Sequence, residues 1–263
     1  MSKVLTDKLR FQLNLFYLAL SFFTRIPVPK TMEYSATLLN QANRYFSLVG
    51  LFIGLILAVT FVVFNYFFPA NISILLTMVV SLLLTGAFHE DGLADMADGI
   101  GGAFSQDKRL QIMKDSRIGT YGAVTLFMAL LLKFIALVEL AEYESNHLLW
   151  AVILASALSR AVAGSLISSL PYVTDSSQSK SKPLAQSQTT PELLILLAVG
   201  ITPLLFYSIN IIFTLVLVMV LFRWLFKKWL LAKISGFTGD CLGAAQQISE
   251  LLIYLSLLSF ISN

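Results

Sequence analysis

Apolar runs close to bilayer length recur along this chain, and they leave few folds open. They lie at about 45–68, 72–88, 119–140, 147–170, 192–207, 209–226 and 244–261. A helix needs roughly 20 apolar residues to cross the hydrocarbon core, where only its own hydrogen bonds can satisfy its backbone. The runs are continuous rather than alternating, which disfavours a β-barrel. Charged residues make up 13% of the chain, about half the share usual in a soluble domain. The fold class is therefore all-α, a polytopic integral membrane bundle of about seven transmembrane helices. A shorter apolar run at 10–24 precedes them and ends before Pro27 and Pro29, since proline lacks the amide hydrogen a helix needs. Too short to span comfortably, it reads as an N-terminal interfacial or re-entrant helix. A polar helix is expected at 36–44. No repeat or second domain is visible, so residues 1–263 read as one unit.

The distribution of basic residues gives an orientation. Of 18 Lys and Arg, sixteen fall in the N-terminal segment, in 89–118, in 171–190 or around 223–233. The turns near 70, 142–146 and 208 carry none. Cytoplasmic loops are the ones enriched in Lys and Arg, so 89–118 and the Ser/Gln/Thr-rich loop 171–190, expected to be mobile, are placed in the cytoplasm. Lys3, Lys8 and Arg10 lead into an apolar stretch without a small-residue cleavage site, so the N-terminus is expected to be retained. A single Cys241 excludes an internal disulfide and offers no metal-binding spacing.

The second run delivers the chain into Phe88-His89-Glu90-Asp91-Gly92-Leu93-Ala94-Asp95-Met96-Ala97-Asp98-Gly99-Ile100-Gly101-Gly102. Four of the 15 acidic residues in the chain are spent there. Asp91, Asp95 and Asp98 share one helical face. Three carboxylates side by side repel one another unless a cation compensates. Mg²⁺ suits the pattern, because it takes oxygen ligands and completes its shell with water and phosphate. Gly92 and Gly99 would let backbone approach a bulky ligand, and His89 and Glu90 stand at the membrane boundary as a base or a supporting residue. Asp115 follows as a further base or ligand. Lys114 and Arg117 suit a pyrophosphate, arginine offering a two-pronged fork. Among charges outside this segment, Arg160 lies inside an apolar run and should face a cavity or the bundle interior, whereas Lys133 is expected to snorkel outward. Arg25 could line the site or anchor the interface. Asp240 reads equally as a helix N-cap or a ligand-facing group. The aromatic residues are assigned to lipid contact and interface belts.

The segment 89–99, followed by Met113-Lys114-Asp115-Ser116-Arg117-Ile118-Gly119-Thr120-Tyr121-Gly122, resembles the cobalamin synthase family, the adenosylcobinamide-GDP ribazoletransferases. The likeness extends to Thr24–Pro29, Tyr45–Gly50, Ser159-Arg160 and Gly239–Ala244 with Glu250, and so covers nearly the full length. A more distant similarity is to CDP-alcohol phosphotransferases, but this chain has Ala94-Asp95 where that pattern has Ala-Arg. The resemblance implies a Mg²⁺-dependent enzyme of the bacterial inner membrane. It would join adenosylcobinamide-GDP to α-ribazole, or to its 5′-phosphate, and release GMP. Glu90, Asp98 or Asp115 would then take the proton, while Asp91, Asp95 and Asp98 would hold metal. His89, Gly92, Gly99, Lys114, Arg117, Arg160, Arg25 and Asp240 would contact substrate. Its partners would be these substrates and the bilayer, with no nucleic acid; homo-oligomerisation is compatible with the sequence. The alternatives are a phospholipid-making CDP-alcohol phosphotransferase or an ion-coupled transporter. A transporter would place its charges near the midplane between repeats, whereas here they stand at the end of a span.

Overall fold

Gly86 and Ala87 break the second apolar run. Both adopt left-handed backbone, φ 66° and 55°, which glycine accepts freely and alanine at a cost. The helix before them therefore stops at Thr85 and the chain restarts at Phe88, turned by 85°. The Ala87 amide closes the first helix by donating to Leu82 O (3.0 Å), and the Arg25 amide donates to Leu84 O (2.8 Å). The Arg25 side chain lies against Gly86, where an added methyl would come within 2.6 Å of its Nε.

In the computed structural model, residues 2–143, 145–173 and 185–261 are described. Eleven α-helices follow in order among them: α1 Ser2–Phe23, α2 Ala36–Gln41, α3 Phe46–Phe67, α4 Ala70–Thr85, α5 Phe88–Gly102, α6 Gln106–Met113, α7 Thr120–Tyr143, α8 Ser145–Ser165, α9 Thr190–Ile201, α10 Ile209–Ile234 and α11 Gly239–Ile261. Among the described residues, five helical stretches are long and apolar enough to cross a membrane, and α4 with α5 makes a sixth if the bent pair counts as one span. The run expected at 192–207 is the shorter α9, continued by a 3₁₀ turn to Phe206.

Two boundaries differ from expectation. The basic stretch 227–233 is no loop: α10 continues to Ile234 and stops at left-handed Ser235. The last helix begins at Gly239, so 239–243 forms its first turn. Thr238 stands at the N-cap position, its Oγ1 accepting from the Cys241 amide (3.3 Å). Asp240 is therefore within the first turn and is not the cap. The loop expected at 171–190 lies largely outside the described residues; its ends are held, Val173 N donating to Phe237 O (3.1 Å) and Gln186 N to Asn40 Oδ1 (2.9 Å).

At the centre is α8, whose apolar stretch is 94% buried, whereas that of α10 is 17% buried and faces outward. Small residues let neighbours close on α8, as is usual for helices in lipid. A methyl at Gly50 of α3 would overlap the Ser156 carbonyl, and one at Gly54 would meet Ile153 Cα at 2.8 Å. Between α7, α8 and α11 lies a buried polar chain. Lys133 Nζ pairs with Glu250 Oε1 at 2.7 Å. The Tyr254 hydroxyl donates to the same oxygen (2.9 Å), and Gln246 Nε2 donates to Glu250 Oε2 (2.9 Å) and Ser159 Oγ (3.0 Å). Lys133 thus points inward rather than snorkelling, because a carboxylate on α11 lies within reach.

Removing one partner of a buried pair leaves the other charge uncompensated in a low-dielectric interior. Glu250→Ala is expected to cost about 3–5 kcal/mol in unfolding free energy in detergent. The double variant Lys133→Met, Glu250→Met is expected to recover most of it. A single variant as stable as the unmodified chain would show that the pair does not hold these helices.

Candidate active site

A cavity of about 330 Å³ opens where α5, α6 and the start of α11 meet beneath the ends of α1 and α8. The meeting is made by glycine. A methyl on Gly92 would come to 3.0 Å from Asp240 O and 3.3 Å from Gly243 Cα, and one on Gly243 to 3.1 Å from His89 O. With no side chain on either helix, the two backbones touch. That contact carries Asp91 and Asp95, one turn apart on α5, to the same cavity as Asp240 on α11.

The expected substrate-facing residues His89, Gly92, Lys114, Arg160 and Asp240 all line this cavity, as do the expected metal ligands Asp91 and Asp95. His89 is buried and stacks on Phe23, centroids 5.5 Å apart and planes at 11°. Arg160 is 5% exposed; its Nη1 donates to Ser156 O (2.8 Å), while its Nε has no hydrogen-bond partner among the described residues. A buried guanidinium with a spare donor at a cavity wall suits an anionic ligand.

The remaining expected residues lie elsewhere. Asp98 is buried, and its carboxylate accepts from the Gly119 amide (2.7 Å) and the Gly122 amide (2.8 Å). It satisfies the open N-terminus of α7, where a negative charge is favoured. Seven residues of helix carry it about 10 Å beyond Asp91, past the cavity and under α7. Glu90 faces the bundle interior, accepting from Gln247 Nε2 (3.0 Å), with its Oε2 unpartnered among the described residues. Asp115 is engaged by Arg117, whose Nη2 donates to Oδ2 at 2.7 Å, and neither lines the cavity. The hydrogen bond from Arg117 to Asp115 holds the guanidinium pKa above its ordinary value. Gly99 packs on α6, where a methyl would meet Arg109 O at 2.9 Å. Arg25 stays at the α4–α5 bend. The three carboxylates expected to act as base are thus drawn off by other partners, and the cavity carboxylates are Asp91, Asp95 and Asp240.

Nothing in the sequence pattern singled out the aromatic lining. Phe22 and Phe23 at the end of α1, Phe46 at the start of α3 and Phe88 at the start of α5 line the same cavity, as does Gln246. The adjacent pair Phe22-Phe23, just before Thr24-Arg25, was the one available signal.

The donor set bears on a metal. Among the described residues no group of three His, Cys, Asp or Glu side chains is gathered closely enough to hold an ion unaided. Two aspartates on one helix face, with Asp240 of α11 lining the same cavity, offer oxygen donors only. That fits Mg²⁺, which commonly takes one or two carboxylates and fills its shell from phosphate and water.

The model of the cobalamin-5-phosphate synthase family matches residues 15–258. An adenosylcobinamide-GDP ribazoletransferase of Vibrio cholerae is 54% identical over 97% of this chain and 97% of its own. One from Vibrio parahaemolyticus is 53% identical over 97% and 96%, and one from Shewanella pealeana 52% identical over 94% and 95%. No solved structure matches.

The placement of Asp98 carries its own test. Asp98→Ala is expected to lower unfolding stability by about 1–2 kcal/mol through loss of the α7 cap, read by thermal unfolding in detergent. Unchanged stability would remove the capping assignment.

Proposed function

The chain belongs to the cobalamin-5-phosphate synthase family, and on that footing we propose that it joins adenosylcobinamide-GDP to α-ribazole, or to α-ribazole 5′-phosphate, with release of GMP. It is an enzyme of the transferase class and a multi-pass membrane protein. A hydroxyl of the ribazole attacks the phosphorus on the cobinamide side of the pyrophosphate. A new phosphoester forms, the bridging P–O bond breaks, and GMP leaves with the bridging oxygen.

The observation that carries this reading is the convergence of Asp91, Asp95, Asp240, Lys114 and Arg160 on one cavity. Lys114 and Arg160 supply positive charge for a pyrophosphate, in a recess where such charge counts for more than in open water. Asp91 and Asp95 would hold Mg²⁺. When bound, it neutralises phosphate charge and eases departure of GMP. Asp240, on the other helix, takes the proton of the attacking hydroxyl. The Thr238 hydroxyl donates to its Oδ2 (3.2 Å) and orients it. The cavity faces the cytoplasm of a bacterial inner membrane, a placement supported by the Lys and Arg enrichment of the N-terminal segment, 89–118, 171–190 and 223–233 and by basic-free turns near 70, 142–146 and 208.

Purified protein given adenosylcobinamide-GDP, α-ribazole and Mg²⁺ is expected to release GMP, and chelation of the metal to stop it. Asp95→Asn and Asp240→Asn are each expected to lower kcat at least about 100-fold with the chain still folded. Folded wild-type protein that releases no GMP would overturn the reading.

A further inference from the structure

From the aromatic wall we infer that this cavity holds the benzimidazole base of the ribazole, and that the guanosine and the corrin ring of the other substrate remain at its mouth. The inference rests on the ribazole-transfer reading and goes beyond it by dividing the two substrates between the cavity and its rim.

Three separate elements bring rings to one wall. Phe23 of α1 meets Phe46 of α3 edge to face at 4.3 Å, and Phe22 meets Phe88 of α5 at 5.2 Å. His89 continues the wall by stacking on Phe23. Phe23 and Phe46 are buried, so lipid contact does not account for them. Phe23 and Phe46 belong to the hydrophobic core, with Phe22 and Phe88 packed against it, yet all four also line the cavity that the charged residues line.

Such a wall discriminates between the bases on offer. Guanine carries a carbonyl, a ring N–H and an amino group along one edge, and burying these without partners is costly. Four phenylalanines supply none. The dimethylbenzimidazole of ribazole has two methyl groups and no N–H once its nitrogen carries the ribose. It can therefore lie against phenylalanine with little polar loss, stacking as a flat ring does on aromatic side chains. Size points the same way. A cavity of about 330 Å³ is at the small end of ligand pockets, which run to roughly 1,000 Å³. A volume of that size suits one nucleoside-sized group better than a substituted macrocycle. With the base on the phenylalanine wall, the ribose hydroxyls fall toward Asp91, Asp95 and Asp240, which line the same cavity.

The test separates the two substrates. In Phe23→Leu and Phe88→Leu, which keep apolar bulk but lose the flat ring, KM for α-ribazole is expected to rise about tenfold, the worth of one stacking contact. KM for adenosylcobinamide-GDP should stay within about twofold of its starting value, as that substrate does not use the wall. Free 5,6-dimethylbenzimidazole, given to the unmodified enzyme, is expected to inhibit competitively against α-ribazole and not against adenosylcobinamide-GDP. This arm stands even if a phenylalanine variant fails to fold. A rise confined to adenosylcobinamide-GDP, equal rises for both substrates, or no competition by the free base would overturn the assignment. Unmodified enzyme that turns over neither substrate would overturn the ribazole-transfer reading instead.

Discussion

The backbone contact between Gly92 and Gly243 is what the rest of the site depends on. Asp91 and Asp95 belong to α5 and Asp240 to α11, helices far apart in sequence. They share a cavity because neither helix carries a side chain where the two cross. Helices in lipid lack a hydrophobic force to press them together, and close van der Waals approach of small residues takes its place. The 85° turn at Gly86-Ala87 matters for the same reason. Had α4 run straight on, the aspartates would have extended along its axis instead of lying across the start of α11.

The buried polar chain behind the cavity sustains this geometry. Glu250 receives hydrogen bonds from Tyr254 and Gln246 and pairs with Lys133, joining α11 to α7. Gln246 reaches Ser159 on α8 and also lines the cavity. In an apolar surrounding each of these groups is expensive to leave unpaired, so the network fixes the rotation of α11 about its axis. That rotation decides whether Asp240 faces the cavity.

Residues whose placement at the cavity follows from local pattern were legible in the sequence. The helical class came from run length, Arg160 stood out as a charge inside an apolar stretch, and Asp240 as a carboxylate at a helix start. Asp91 and Asp95 followed from helical spacing. What was not legible depends on a partner distant in the chain. Asp98 continues the same face, yet its destination is set by two backbone amides of a later helix. Lys133 looked like a snorkelling residue because depth was visible and Glu250 was not. Asp240 read equally as a helix N-cap or a ligand-facing group, and it is Thr238 that caps the helix. The phenylalanine wall was hidden by abundance: among 20 phenylalanines, a lipid-facing explanation fits each one equally until the fold gathers four of them.

The glycine contact between α5 and α11 brings the carboxylates to one cavity. It is tested most directly by the rate of GMP release as residue 243 is enlarged from Gly to Ala to Val. A methyl at residue 243 would come to 3.1 Å from His89 O and 3.3 Å from Gly92 Cα, so that the neighbouring backbone must yield by a few tenths of an ångström. The account predicts a stepwise fall in kcat, slight for alanine and near-complete for valine, with helix content unchanged by circular dichroism. Full activity in the folded Gly243→Val chain would contradict it.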